Sequence, residues 1–109
     1  MYTRYKLTCA KRMTISVGAI VEIEVKEEIT IPKSESNTTN NYGKFYLRKS
    51  LAKRGLDQRV HTPFPDGWKG VPLIVVKNDD VAPIELREGD EIGEVFIYTQ
   101  TPSNYFHLK

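Results

Sequence analysis

Apolar and polar residues alternate along several short segments of the chain, as they do in strands with one buried and one solvated face. The first segment covers residues 5–9, where a lysine and a threonine separate three apolar residues. The second covers residues 19–25, and its polar face carries two glutamates. A third segment begins at Ile29, and Pro32 ends it because proline cannot donate to a strand ladder.

The second half of the chain continues this pattern. Phe45 and Leu47 alternate with charged or amphipathic neighbours, whereas residues 73–76 (LIVV) are all apolar and predict a strand buried on both faces. Turn-forming residues at 78–80 and 87–90 separate two further segments, 81–86 and 92–98. The sequence therefore predicts an all-β fold.

Three segments depart from the strand pattern. Residues 50–54 have the composition of a short helix, which Gly55 ends. Residues 33–43 are rich in serine, asparagine and threonine, which predicts a mobile loop. Residues 62–67 contain two prolines and a glycine, which predict a tight connection.

The composition narrows the class of protein. A chain of 109 residues is expected to form one domain, spanning residues 1–109. We expect a cytoplasmic protein with no membrane partner, because no apolar run approaches a membrane span and the N-terminus lacks the apolar stretch of a signal peptide. Cys9 is the only cysteine and the two histidines are far apart, so neither a disulfide nor a zinc site is expected.

Positive charge is concentrated in one part of the chain. Residues 44–59 contain six basic side chains and one acid, a local charge of +5, which leaves −3 for the remainder. Such a patch can hold phosphate groups, although a solvated basic turn explains it equally well. The net charge of +2 is too small to favour nucleic acid as a partner.

Three motifs occur in an order that suggests a family. They are residues 48–56 (RKSLAKRGL), residues 67–70 (GWKG) and residues 83–98 (PIELREGDEIGEVFIY). Their order and spacing resemble those of dUTPases and dCTP deaminases, and residues 14–18 (TISVG) are a weaker match to an N-terminal motif. The resemblance implies a dUTPase-like β-clip, a distorted jelly roll with one short helical segment, that assembles as a homotrimer with deoxynucleotide sites between subunits.

The resemblance also implies residues that bind the nucleotide. Arg48, Ser50 and Arg54 fall in the phosphate-binding motif, and Tyr105 could stack on the base. A serine at the start of a helix, next to an arginine, can bind phosphate through free amide groups. The alternative is that Ser50 only caps the helix.

The water-activating carboxylate of dUTPases stands just before the glycine–aromatic turn. Aligned without a gap, the sequence has Pro65 at that position, whereas a deletion of one residue would bring Asp66 there as the catalytic base. Asp66 could instead be only the polar residue of a Pro-Asp-Gly turn. Both interpretations remain open at the sequence level.

Other positions depart from the family pattern. Residues 73–76 lack the glutamate that a dCTP deaminase needs, so deamination is not expected. Glu94 replaces a phosphate-facing glutamine and would repel a triphosphate unless a metal or Arg54 neutralised it. Thr14 or Ser16 stands where the N-terminal motif would offer an aspartate, and the C-terminal residues lack a glycine-rich arm.

Two functions are compatible with these observations. In one, the protein binds a deoxynucleoside triphosphate and hydrolyses dUTP to dUMP and pyrophosphate with the aid of Mg²⁺. In the other, a non-catalytic trimer of the same fold acts as a binding, regulatory or structural module.

Overall fold

The computed structural model describes residues 4–101, in ten strands and one helix. In chain order these are β1 Arg4–Thr8, β2 Met13–Ile15, β3 Ile20–Ile23, β4 Ile29–Thr30, β5 Asn40–Leu47, α1 Lys49–Lys53, β6 Leu56–Gln58, β7 Lys69–Gly70, β8 Ile74–Asn78, β9 Ile84–Leu86 and β10 Glu91–Gln100. The expected all-β fold with one short helical segment is confirmed. Over residues 4–101, no helix combines the length and the apolar character needed to span a bilayer.

The strands pair only in antiparallel fashion within the described residues. Two sheets have three strands, in the orders β1-β10-β5 and β3-β8-β6, and two more pairs are formed by β2 with β9 and by β4 with β7. Strands distant in sequence are therefore neighbours in space, which makes the fold more than a simple meander.

The core follows from the alternation seen in the sequence. Leu7, Ile15, Ile23, Val76 and Val95, one from each of five strands, are fully buried together with further aliphatic residues. Cys9 also lies in this core, where burial raises the pKa of its thiol and the thiol donates to the Lys11 carbonyl at 3.0 Å.

Strand β5 pairs with β10 over its whole length, from Asn40 opposite Gln100 to Leu47 opposite Gly93. A side chain at position 93 would collide with the ring of Phe45 and with the Tyr46 carbonyl, at 2.6 and 2.3 Å from its Cβ. Glycine at position 93 therefore lets the Phe45 ring pack against β10.

Three local predictions need correction. Residues 40–43 belong to β5 and not to the predicted loop, because they pair with the end of β10. The segment predicted at 81–86 forms a strand only over Ile84–Leu86, since the buried side chain of Asn78 holds the preceding turn by donating to the Ile15 and Ala82 carbonyls. Leu73 is 54% exposed, so residues 73–76 are not buried on both faces within one chain.

Candidate functional site

The motif at residues 48–56, for which the family resemblance implies phosphate binding, starts where β5 ends and α1 begins. The backbone of Arg48 is fixed there, because its amide donates to the Ile92 carbonyl at 2.8 Å and its carbonyl accepts from the amides of Leu51 and Ala52. Leu51 is buried and anchors the helix to the core. The Arg48 side chain is left exposed to solvent.

Four exposed cations surround this helix: Arg48, Lys49, Lys53 and Arg54. None of them forms a salt bridge with any residue between positions 4 and 101. Arg54 caps the opposite end of the helix from Arg48, about 9 Å away at 1.5 Å of rise per residue. These cations form what we call the cationic end of β5.

Ser50 lies inside α1 and not before it. The N-cap residue is Arg48, and no side chain caps the helix. The interpretation of Ser50 as a helix cap is therefore wrong. The Leu51 and Ala52 amides already donate to the Arg48 carbonyl, so these two amides are not available to a phosphate, whereas the side chains of Arg48 and Ser50 are exposed.

Asp66 lies at the opposite end of β5. The Trp68 amide donates to the Pro65 carbonyl at 3.0 Å, and Gly67 has a φ of +77°, which closes a tight turn that contains Asp66. The Asp66 carboxylate accepts from the Ser34 amide at 3.1 Å on both oxygens and from the Asn41 amide at 2.9 Å. We call this arrangement the clamped end of β5.

The two ends are far apart within one chain. Asn41 contacts Asp66 near the start of β5, and Arg48 follows its last residue, Leu47. At about 3.3 Å per residue, the strand between them spans roughly 20 Å. The structure therefore does not bring Asp66 and Ser50 together in one chain, and only a neighbouring copy could do so.

An apolar cleft of about 420 Å³ opens beside the clamped end. Its walls include the rings of Phe64 and Trp68, which contact each other with centroids 4.8 Å apart, and the half-exposed side chains of Val60, Val71 and Leu73. Gln58, His61 and Thr62 provide its polar groups. Sequence analysis missed this cleft, because it is assembled from a turn and strand ends that have no common periodicity.

No family model matches the chain, and no curated protein matches it by sequence. Solved structures do match it. The dUTPase of EIAV superimposes with a TM-score of 0.72 at 22% identity, over 88% of this chain and 74% of that chain. A variant of the Staphylococcus bacteriophage 80alpha dUTPase with dUpNHpp superimposes with a TM-score of 0.74 at 14% identity, over 94% of this chain and 83% of that chain.

The chain has the dUTPase-like fold. The fold implied by the three motifs is thus confirmed, although identities this low carry no activity with them. A third match, a variant dUTPase from phage phi11 of S. aureus described with a structural Mg(II) ion, has a TM-score of 0.64 at 14% identity, over 94% of this chain and 80% of that chain.

Glu94 has an ion-pair partner that the sequence analysis did not name. It lies on β10 opposite Tyr46, and its carboxylate is 3.5 Å from the Arg4 guanidinium. Arg54, one of the two neutralising groups considered for a triphosphate complex, forms no salt bridge within residues 4–101. Within the described part of the chain, the cation beside Glu94 is therefore Arg4.

The remaining predicted positions add no carboxylate. Thr14 lies on β2 and Ser16 just after it, and both are exposed. Tyr105 lies outside the described residues.

Proposed function

We propose that the protein binds a deoxynucleoside triphosphate in sites shared between the subunits of a homotrimer, and that it hydrolyses dUTP to dUMP and pyrophosphate. One observation carries the proposal: the exposed cations and the clamped carboxylate lie at opposite ends of β5, roughly 20 Å apart. A site that uses both ends must combine one end from each of two copies.

The cationic end would bind the triphosphate. Arg48 and Arg54 have no carboxylate partner among residues 4–101, so phosphate oxygens would not have to displace an existing ion pair. Guanidinium groups match phosphate geometry with paired donors, and the Ser50 hydroxyl adds one more. In this arrangement one copy would bind the phosphates, and the neighbouring copy would contact the nucleobase.

The cleft beside Trp68 would hold the nucleobase. Its aromatic walls offer stacking, and the side chains of Gln58 and Thr62 offer hydrogen bonds to the edge of the base. Because this cleft adjoins the turn that holds Asp66, a base bound there would bring its attached phosphates towards the carboxylate.

Asp66 would activate the attacking water. A carboxylate has about four lone-pair positions, and the Ser34 and Asn41 amides use three of them, so Oδ1 can still accept a hydrogen bond from water. The water oxygen would attack the α-phosphorus as Asp66 takes its proton, and the bond to the bridging oxygen would break. Pyrophosphate would leave with that oxygen, and dUMP would remain.

Mg²⁺ would enter with the nucleotide. Residues 4–101 contain no cluster of three or more His, Cys, Asp or Glu side chains suited to a metal ion. This arrangement fits Mg²⁺ that is coordinated mainly by phosphate oxygens and water, as is usual at triphosphate sites. The ion would neutralise phosphate charge, while the residues of the chain position the nucleotide and move the proton.

The homotrimer is supported by apolar surface that one chain leaves uncovered. Val60, Val71 and Leu73 are 44%, 54% and 54% exposed, and all three line the cleft. Contact with a second copy would cover them and complete the site in the same step. Sedimentation equilibrium at micromolar concentration tests this assembly, and a monomer would count against it.

One assay separates binding from hydrolysis. Purified protein is incubated with Mg²⁺ and each deoxynucleoside triphosphate, and the monophosphate and pyrophosphate products are resolved. In parallel, calorimetry measures the affinity for dUpNHpp, an analogue with nitrogen in place of an oxygen of the triphosphate. We expect pyrophosphate release with dUTP and saturable binding of the analogue.

The outcomes are distinct. Binding of dUpNHpp without product would establish the nucleotide site and reject catalysis. Absence of both, in protein that circular dichroism shows to be folded, would reject the proposed function and favour a non-catalytic module.

A further inference from the structure

The outward face of the sheet β1-β10-β5 carries aromatic side chains that the proposed nucleotide site does not use. Tyr42 and Tyr98 are stacked with ring centroids 5.2 Å apart, and Tyr46 meets Phe96 edge-on at 5.6 Å. Tyr46 and Tyr98 are 42% and 37% exposed. These rings are therefore accessible to a ligand that lies across the sheet.

Two prolines turn this face into a groove. Gly43 and Phe64 exchange two backbone hydrogen bonds, of 2.9 and 2.8 Å, which hold residues 63–65 beside β5. Because side chains alternate along an extended segment, Pro63 and Pro65 lie on the face opposite to Phe64. With Tyr42, Tyr46 and Tyr98 they line an open groove of about 690 Å³, which we call the aromatic groove.

Each polar side chain that lines the groove can donate a hydrogen bond. The hydroxyl groups of Tyr46 and Tyr98 are 3.1 Å apart, so one donates to the other and the second hydroxyl hydrogen has no acceptor among residues 4–101. That hydrogen bond and desolvation raise the pKa of Tyr98 above its ordinary value, which already lies well above neutral pH, so the hydroxyl is protonated. The Lys44 ammonium adds further donors, and none of the described lining residues is acidic.

The charge on this face argues against a polyanion. Arg4 pairs with Glu94 at 3.5 Å and Lys6 with Glu91 at 3.7 Å, so two of the neighbouring cations are already neutralised. Lys44 lies 5.6 Å from the ring centre of Tyr46. Lys44 is the one unpaired cation among the described residues that line the groove, so the groove itself offers a nucleic-acid backbone little counterion release and suits an uncharged ligand rich in carbonyl groups.

The edge of the sheet argues against pairing with another strand. Phe64 directs both its amide and its carbonyl inward to Gly43, which leaves the neighbouring residues to face outward. Those neighbours are Pro63 and Pro65, which have no amide hydrogen to donate. Residues 63–65 therefore offer no outward-facing amide with which a second copy could extend the sheet, which favours a ligand that lies on the face of the sheet.

We propose that the aromatic groove binds a proline-rich peptide segment in the polyproline II conformation. Such a segment has no internal hydrogen bonds and its prolines have no donors, so its free carbonyls match a groove that supplies donors. Stacking of proline rings on tyrosine provides the remaining affinity. The polyproline II segment is already extended and stiff, so it loses little conformational entropy on binding. Tyr42 and Tyr46 are about 13 Å apart along β5, the length of about four polyproline II residues.

Fluorescence anisotropy tests the proposal with the 109-residue chain and a fluorescein-labelled ten-residue oligoproline. We expect saturable binding at submillimolar protein, and weaker binding to a labelled Gly-Ser peptide of equal length. Tyr98→Ala should weaken binding about five- to tenfold through the loss of one aromatic contact. Tyr46→Ala should act in the same direction, and Val81→Ala, at a residue 94% exposed outside the groove, should have no effect.

Several results would overturn the proposal. These are no saturable binding to folded protein, equal binding by Tyr98→Ala and the unmodified chain, or tighter binding of a labelled ten-residue oligothymidylate. Sedimentation of the same samples identifies a further contradiction: if Tyr98→Ala dissociates the protein or the peptide competes with assembly, a second copy occupies the groove.

Discussion

The two ends of β5 are held in opposite ways. At the clamped end, one carboxylate accepts amide hydrogens from Ser34 and Asn41, residues on either side of a polar loop. At the cationic end, the backbone of Arg48 is fixed but its side chain and its cationic neighbours carry no salt bridge within residues 4–101.

This difference suggests a division of labour. Asp66 is preorganised by the fold, as a group must be if it is to position a water molecule. The cations are available and adaptable, which suits phosphate groups that arrive with a ligand. Changes at the clamped end should therefore affect stability and catalysis together, and changes at the cationic end should affect binding alone.

The largest expected effect is on turnover. Asp66→Asn should lower kcat for dUTP by about 10²- to 10⁴-fold, the contribution of a positioned general base. The fold should persist, because the amide oxygen can still accept from the Ser34 or Asn41 amide. Steady-state kinetics and the affinity for dUMP, which should change little, check this prediction. Full activity in Asp66→Asn would show that another carboxylate, such as Asp57, activates the water.

A mixing experiment tests whether Asp66 and Arg48 of one site come from two different subunits. If each site takes Asp66 from one subunit and Arg48 from the next, an equal mixture of co-refolded Asp66→Asn and Arg48→Ala chains should recover about a quarter of the unmodified kcat/KM for dUTP in random trimers, whereas Arg48→Ala alone should keep only about a tenth of it. Recovery of nothing beyond the sum of the two separate variants would place both residues in a site within one chain.

The second effect is on stability. Asp66→Ala removes the acceptor of two amide groups and should lower the free energy of unfolding by roughly 2 kcal/mol. Asp66→Asn, which keeps one acceptor oxygen, should lose about half of that. Urea denaturation measures both variants. If Asp66→Ala unfolds at the same midpoint as the unmodified chain, the clamp contributes nothing to the fold.

The clamp also explains what the sequence could and could not predict. The strands were predictable because alternation is a local property that the core imposes on each segment. The start of β5 was not, because Asn40 and Asn41 are polar and join the sheet through distant partners, Gln100 and Asp66. The order of the motifs predicted the fold. It could not predict that Arg48 and Asp66 lie at opposite ends of β5, because that separation depends on strand pairing.

The third effect is on affinity. Arg48→Ala should weaken dUpNHpp binding about tenfold, the value of one charge-assisted phosphate contact at an exposed site. Arg12→Ala is the matched control, since Arg12 is an exposed arginine just before β2 that pairs with Glu85 at 2.9 Å. Isothermal titration calorimetry should show the loss in Arg48→Ala alone. An equal loss in both variants would mean that net charge, and not a bound phosphate, controls affinity.

The smallest expected effect is the contribution of Ser50, at the cationic end, to the free energy of unfolding. Ser50 lies within α1, its hydroxyl caps nothing, and its side chain is exposed. Replacing a true serine cap by alanine costs about 1 kcal/mol, whereas Ser50→Ala should change the free energy of unfolding by less than about 0.5 kcal/mol.

The same substitution should still weaken dUpNHpp binding a few-fold, because it removes a hydroxyl donor from the proposed phosphate site. Urea denaturation and calorimetry on one preparation separate the two roles. A loss of stability near 1 kcal/mol with unchanged affinity would show that Ser50 has a structural role. It would contradict the view that side chains at the cationic end serve binding and not stability.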